Sequence, residues 1–102
     1  MELPTALQGK PKSKLTLDDC VFLVLRNANA RGEWMNFWSI SERILGTVNK
    51  KYGEPTISAS IRNMRKEHCR EAYELPRYGE VILKRRMFNS KGYEYKLILK
   101  GE

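Results

Sequence analysis

The 102-residue chain holds a single histidine, His68, and two cysteines, Cys20 and Cys69. That scarcity excludes most chemistry built on those side chains. A structural zinc site needs about four ligands, usually in close pairs, and these two thiols stand far apart in sequence. A glycine-rich phosphate loop is missing as well, and so is any nucleophile–base pair at usable spacing. We therefore expect no enzyme, no metal and no cofactor. The carboxylates of Asp18 and Asp19 stand where a helix begins, and favourable interaction with the helix dipole accounts for them. The opening MELPTALQGK lacks the apolar core of a secretory signal, which favours free thiols and a cytoplasmic protein. The longest apolar run, Cys20 to Leu25, falls far short of the roughly 20 residues of a membrane-spanning helix. No membrane partner is expected.

Acidic residues are the other shortage. There are 12 Asp/Glu against 19 Lys/Arg, a net charge of +7. The excess is uneven: residues 1–55 carry 8 basic and 6 acidic side chains, residues 56–102 carry 11 and 6. Such a balance attracts polyanions, nucleic acid first. The length suits one domain with a modest core.

Residues 1–15 hold Pro4, Gly9, Pro11 and the spaced lysines Lys10, Lys12 and Lys14, with no helical or strand period. They read as a flexible basic tail, either solvated or laid along an acidic partner. Residues 16–102 read as the domain. Thr16 is a good N-cap, with Asp18 and Asp19 in the first turn. Val21, Val24, Leu25 and Ala28 follow at helical spacing, widened by Cys20, Phe22 and Leu23, and Gly32 is a plausible stop. A second helix places Phe37, Ile40, Ile44 and Val48 on one face. Asn36 is the preferred N-cap over Ser39, Gly46 weakens or ends the helix, and Gly53 is its latest stop.

The turn Gly53-Glu54-Pro55-Thr56 leads into a third helix over 57–70, with Thr56 as its N-cap. Ile57, Ile61, Met64 and His68 share its inner face, while Ala59, Arg62, Asn63, Lys66 and Arg70 point outward and Arg65 lies at the border. Pro76 must lie beyond it. The last third changes period. EVILKRRMF and YEYKLIL are strand-like, and Asn89, Ser90, Lys91 and Gly92 form the loop of a hairpin over 81–99.

A helix that enters a major groove needs small residues near its start, here Ser58 and Ala59 beside Thr56. Arg62 is suited to a bidentate contact with guanine and Asn63 to one with adenine. Lys66 and Arg70 are better placed for phosphates. Arg85, Arg86 and Lys91 on the hairpin would meet phosphates or an adjacent minor groove.

The stretches FWSISERI, ISASIRNMRK and GYEYKLI resemble a set of small winged helix-turn-helix proteins common in bacteria and their phages. Those proteins share a tryptophan-containing second helix, a third helix of S-A-x-I-R-x-x-R-K type and a closing Y-E-Y-x-L strand. The resemblance spans about Leu17 to Ile98. It implies an α+β fold of three helices with a C-terminal β-hairpin wing, and makes the third helix the recognition helix. One departure is HCREAYELPRY before Gly79, which either lengthens the third helix or inserts a loop.

A basic helix face is more often solvated surface than a reading head. His68 and the two thiols read as packed residues, Trp34 and Trp38 as core and core edge, and Tyr93 and Tyr95 as packing on the helices. The turn before the third helix, the basic hairpin and the motif match together favour sequence-specific binding of double-stranded DNA, as a transcriptional or phage-type regulator. A second copy is a further partner, since many DNA readers dimerise, although no heptad repeat marks a dimer helix. The alternatives are a protein-interaction adaptor and a replication or recombination accessory protein.

Overall fold

The computed structural model describes residues 3–88 and 90–100. The extreme ends of the expected tail and domain, and Asn89 of the expected hairpin loop, lie outside the described residues. Among the described residues the architecture is α+β: four α-helices and a three-stranded antiparallel sheet.

Helix α1 spans Leu17–Ala30. Its start is a reciprocal cap. The Asp19 amide donates to the Thr16 hydroxyl at 3.1 Å, and the Thr16 amide donates to the Asp19 carboxylate at 3.0 Å, which satisfies two otherwise orphaned donors. Val21, Phe22, Leu25 and Ala28 are buried along its length. This is the central helix expected from the spacing, packed on by helices and sheet alike. A two-residue strand β1, Met35–Asn36, follows, then helix α2, Phe37–Val48. Asn36 is its N-cap, accepting from the Ser39 amide at 2.9 Å. Gly46 does not end α2. Asn49 does, in the left-handed conformation at φ 57°, which Asn tolerates better than most side chains.

Helix α3 spans Glu54–Asn63 and opens earlier than expected, with Gly53 as N-cap and Pro55 in the first turn. There the missing proline N–H costs nothing and its fixed φ already suits a helix. Thr56 is thus inside the helix rather than its cap. Ile57, Ile61 and Met64 are buried as expected.

The single helix over 57–70 is not formed. The amides of Met64, Arg65 and Lys66 reach back only three residues, to the carbonyls of Ile61, Arg62 and Asn63. Lys66 turns extended, and a separate helix α4, Glu67–Ala72, sets off. The reason is a shift in apolar phase. A straight helix would carry the inner stripe to His68. The break instead buries Cys69 and Tyr73, at 2% and 6% exposure, and leaves His68 exposed. The Tyr73 ring stacks on Phe22 with centroids 4.6 Å apart.

Strands β2, Ile82–Arg86, and β3, Tyr93–Leu97, form the hairpin. The sheet order is β1-β3-β2. Ile82 pairs with Leu97 at the base of the hairpin, and both are fully buried. At the far end Gly92 takes φ +110°, which a side chain would resist.

The expected tail is docked from Leu3 onward. It makes two short 3-10 turns, Thr5–Leu7 and Lys12–Lys14, and Leu7 is 3% exposed within the core cluster. Lys10 Nζ lies 2.7 Å from Asp19 Oδ2. Asp19 also accepts from the Tyr73 hydroxyl at 2.7 Å. Its neighbour Asp18 accepts from the Ser60 hydroxyl at 2.6 Å. One end of α1 therefore ties together the N-terminal segment, α3 and α4, where the sequence suggested only a cap. Cys20 and Cys69 are free, buried thiols. Burial pushes both thiols up, and the nearby carboxylates of Asp19 and Asp18 add to it.

Candidate nucleic-acid interface

Two elements carry the expected site residues. On α3, Thr56 and Arg62 are exposed, and Ser58, Ala59 and Asn63 are half-buried. The small side chains stand in the first half of the helix, so its backbone is approachable there. Lys66 is exposed just past the end of α3, as the N-cap of α4. Glu54 occupies the first turn of α3, where it complements the positive end of the helix dipole. Cationic contact on this face therefore rests on Arg62 and Lys66 rather than on the helix N-terminus.

The hairpin divides its charges between two faces. Side chains alternate along a strand, and directly paired residues share a face. The register pairs Ile82 with Leu97, Lys84 with Tyr95 and Arg86 with Tyr93. Those pairs form the inner face, which begins in the core and emerges into solvent as the hairpin outruns the helices. Tyr95 is half-buried against the core, and Tyr93 is 42% exposed with Lys84 Nζ 4.1 Å above its ring.

Tyr95 links this face to α3. Burial pushes its phenol up, and the charges of Glu54 and Tyr93 add to that, while Arg65 and Arg62 act in the opposite sense. Glu54, Arg62 and Arg65 of the α3 region and Tyr93 of the hairpin are thus near enough to act electrostatically on this phenol. The end of α3 meets the base of the hairpin where Arg65 Nη2 donates to the Ile82 carbonyl at 3.5 Å, and Arg62, Lys84 and Arg86 are exposed on the two elements.

Arg85 faces the other way. It pairs with Glu94 across the register, with Nε 2.5 Å from the carboxylate. Its guanidinium also lies 4.0 Å over the Trp34 ring. Trp34 is half-buried beneath it, while Trp38 is 60% exposed. The core-edge expectation fails for Trp38, which stays mostly exposed and meets the Phe37 ring edge to face at 5.5 Å between centroids. Lys91 is exposed in the hairpin loop. Among the described residues Arg62, Lys66, Lys84, Arg86 and Lys91 have no ion-pair partner.

Arg70 is not on α3 at all. Its Nε donates to the Arg65 carbonyl at 2.8 Å, and its Nη1 to the carbonyls of Pro76 and Arg77 at 3.2 Å each. These bonds hold the loop after α4 and account for Arg70 without any outside ligand. Hydrogen bonds to charged groups contribute about 1.5–3 kcal/mol each net of the water bonds they replace, and less where the donor is partly exposed. We expect Arg70→Ala to lower the unfolding free energy by about 1–3 kcal/mol in urea titration, with unchanged steepness of the transition. An unchanged midpoint would mean that water replaces the guanidinium at no cost.

Lys84 belongs to the candidate surface as one of the alternating Lys84, Arg85 and Arg86, of which one or two are expected to face a partner. Tyr93, expected to pack on the helices, is instead 42% exposed there. The signal for them was the alternation of KRR against YEY, legible only once the pairing register is known. Comparison with known proteins finds no matching family model, no matching curated protein and no matching solved structure.

Proposed function

We propose that the protein is a winged helix-turn-helix binder of double-stranded DNA, acting as a transcriptional or phage-type regulator rather than as an enzyme. In this reading α3 enters the major groove and the β2–β3 hairpin is the wing. The observation that supports it is a set of exposed cations on the two elements, Arg62 and Lys66 at the end of α3 and Lys84 and Arg86 on the inner face of the hairpin, none with an ion-pair partner among the described residues. The element order and the β1-β3-β2 sheet suit the same reading. Ser58 and Ala59 allow close approach, Arg62 and Asn63 reach base edges, and Lys66, Lys84 and Arg86 neutralise phosphates.

The face assignment of the hairpin supplies the test. Binding to random-sequence duplex should weaken steeply with salt, because each neutralised phosphate releases counterions. Replacing both Lys84 and Arg86 by Ala should shallow the log–log salt slope by about two. Arg85→Ala should leave that slope unchanged, since Arg85 is engaged with Glu94 and Trp34 on the opposite face. Retardation of a labelled duplex across a salt series measures both. Equal effects of the two changes would remove the inner face from the interface.

A protein-interaction adaptor is the competing reading. It gains support from α2, where Trp38 and Leu45 are 60% and 40% exposed and, seven residues apart, share a helix face. The absence of any shift with duplex at low salt would favour it.

A further inference from the structure

Among the large apolar side chains of the described residues, Phe88 is the most exposed, at 90%. It stands in the loop at the far end of the hairpin. Arg86, six residues after Glu80 and four after the buried Ile82, lies about 13 Å along the strand from the core, and Phe88 lies beyond that. At that exposure the described residues leave its ring almost wholly open to solvent. Arg86 and Lys91, two and three residues from it in sequence, are exposed and without acidic partners among the described residues. An aromatic ring at the tip of a projecting arm, flanked by two free cations, matches what a minor-groove wedge requires. The cations hold the phosphates on either side while the ring slides between neighbouring base pairs.

We propose that Phe88 is such a wedge: it partly unstacks one base step and kinks duplex DNA at the edge of the α3 footprint. This rests on the DNA-binding reading above and adds a specific act to it. The flanking positive charge favours a polyanionic duplex over the apolar pocket of a protein partner. The hairpin's reach exceeds the roughly 7.5 Å depth of the minor groove, so the ring can arrive while the inner-face cations stay on the backbone. Unstacking costs free energy that depends on the step, so the wedge would also discriminate between sequences that α3 never touches.

A wedge binds more tightly where the stack is already weakened. We expect the wild-type protein to prefer a duplex carrying one mismatched step over the fully paired duplex by about tenfold. Phe88→Ala should bind both alike, and Phe88→Leu should keep most of the preference, because leucine can also wedge. Energy transfer between dyes at the duplex ends should report a bend with wild type and F88L, and none with F88A. Unchanged denaturation midpoints would show that the variants fold. Equal binding of both duplexes by the wild type, or a preference that survives in F88A, overturns the wedge while leaving DNA binding intact. A wild-type protein that binds neither duplex at low salt overturns the DNA reading and the wedge with it.

Discussion

Asp19→Ala should lower the unfolding free energy by about 3 kcal/mol, a large share of the 5–15 kcal/mol typical of a domain this size. Asp19 is only 5% exposed. Its carboxylate accepts from the Thr16 amide, from Lys10 Nζ and from the Tyr73 hydroxyl. Removing it leaves three donors facing a void, two of them from the N-terminal segment and from the end of α4. Tyr73→Phe should cost only about 1 kcal/mol, because the ring still stacks on Phe22 and Asp19 keeps two donors. Urea titrations with unchanged transition steepness would measure both. A loss below about 0.5 kcal/mol for Asp19→Ala would show that water satisfies these donors in its absence.

The same site sets a pH dependence at both ends of the range. Burial pushes the Asp19 carboxyl up, but hydrogen bonds from Lys10, Tyr73 and Thr16 outweigh it and hold the group below its ordinary value. A lowered folded-state pKa contributes stability that is present above the ordinary carboxylate pKa and lost as pH falls through the folded-state value. Wild-type stability should therefore fall below about pH 4, and Asp19→Ala should flatten that fall. Tyr73 shows the opposite sign. Burial and the Asp19 hydrogen bond push its phenol well up. Its contribution holds below the ordinary phenol value and is lost as pH rises above about 10, a loss that Tyr73→Phe should abolish.

On the binding side, Arg62→Ala should weaken binding to a preferred sequence about 10–100-fold, from the 1–3 kcal/mol of a bidentate base contact. Its effect on random duplex should be much smaller. Arg62 is exposed late in α3, past the small side chains of Ser58 and Ala59. Lys66→Ala should weaken both duplexes about equally, since a phosphate contact carries no sequence information. Selection of bound duplexes from a random pool would supply the preferred sequence, and titrations at matched salt would compare the two. Equal losses for both variants would strip Arg62 of a base-reading role.

Local chemistry made much of this molecule legible before any fold was drawn. Thr16 and Asn36 cap their helices as their side chains predict. Val21, Leu25 and Ala28 of α1, Ile40 and Ile44 of α2 and Ile57, Ile61 and Met64 of α3 are buried as their period predicts, while Val24, Phe37 and Val48 at the margins of those stripes are half-buried. Gly92 takes the positive φ that its place near the second strand suggests. Each of these depends on neighbours within about one helical turn, so residue type and spacing were enough. Even the break after α3 left a trace: Cys69 and Tyr73 are out of phase with the stripe that precedes them.

What the tertiary structure decided was direction and partnership. Strand side chains alternate, so a one-residue change of register would exchange Lys84 and Arg86 for Arg85 on the inner face. That register follows from the burial of Ile82 against Leu97 and the length of the loop between the strands, which no single segment reveals. Leu7 and Lys10 looked like parts of a free tail because their partners, the core and Asp19, are distant in sequence or hidden until α1 forms. Arg70 looked like a phosphate contact until α4 turned it toward three backbone carbonyls. A charged side chain carries the same chemistry wherever it stands. Whether that chemistry serves a partner or the fold depends on what long-range packing places within its reach.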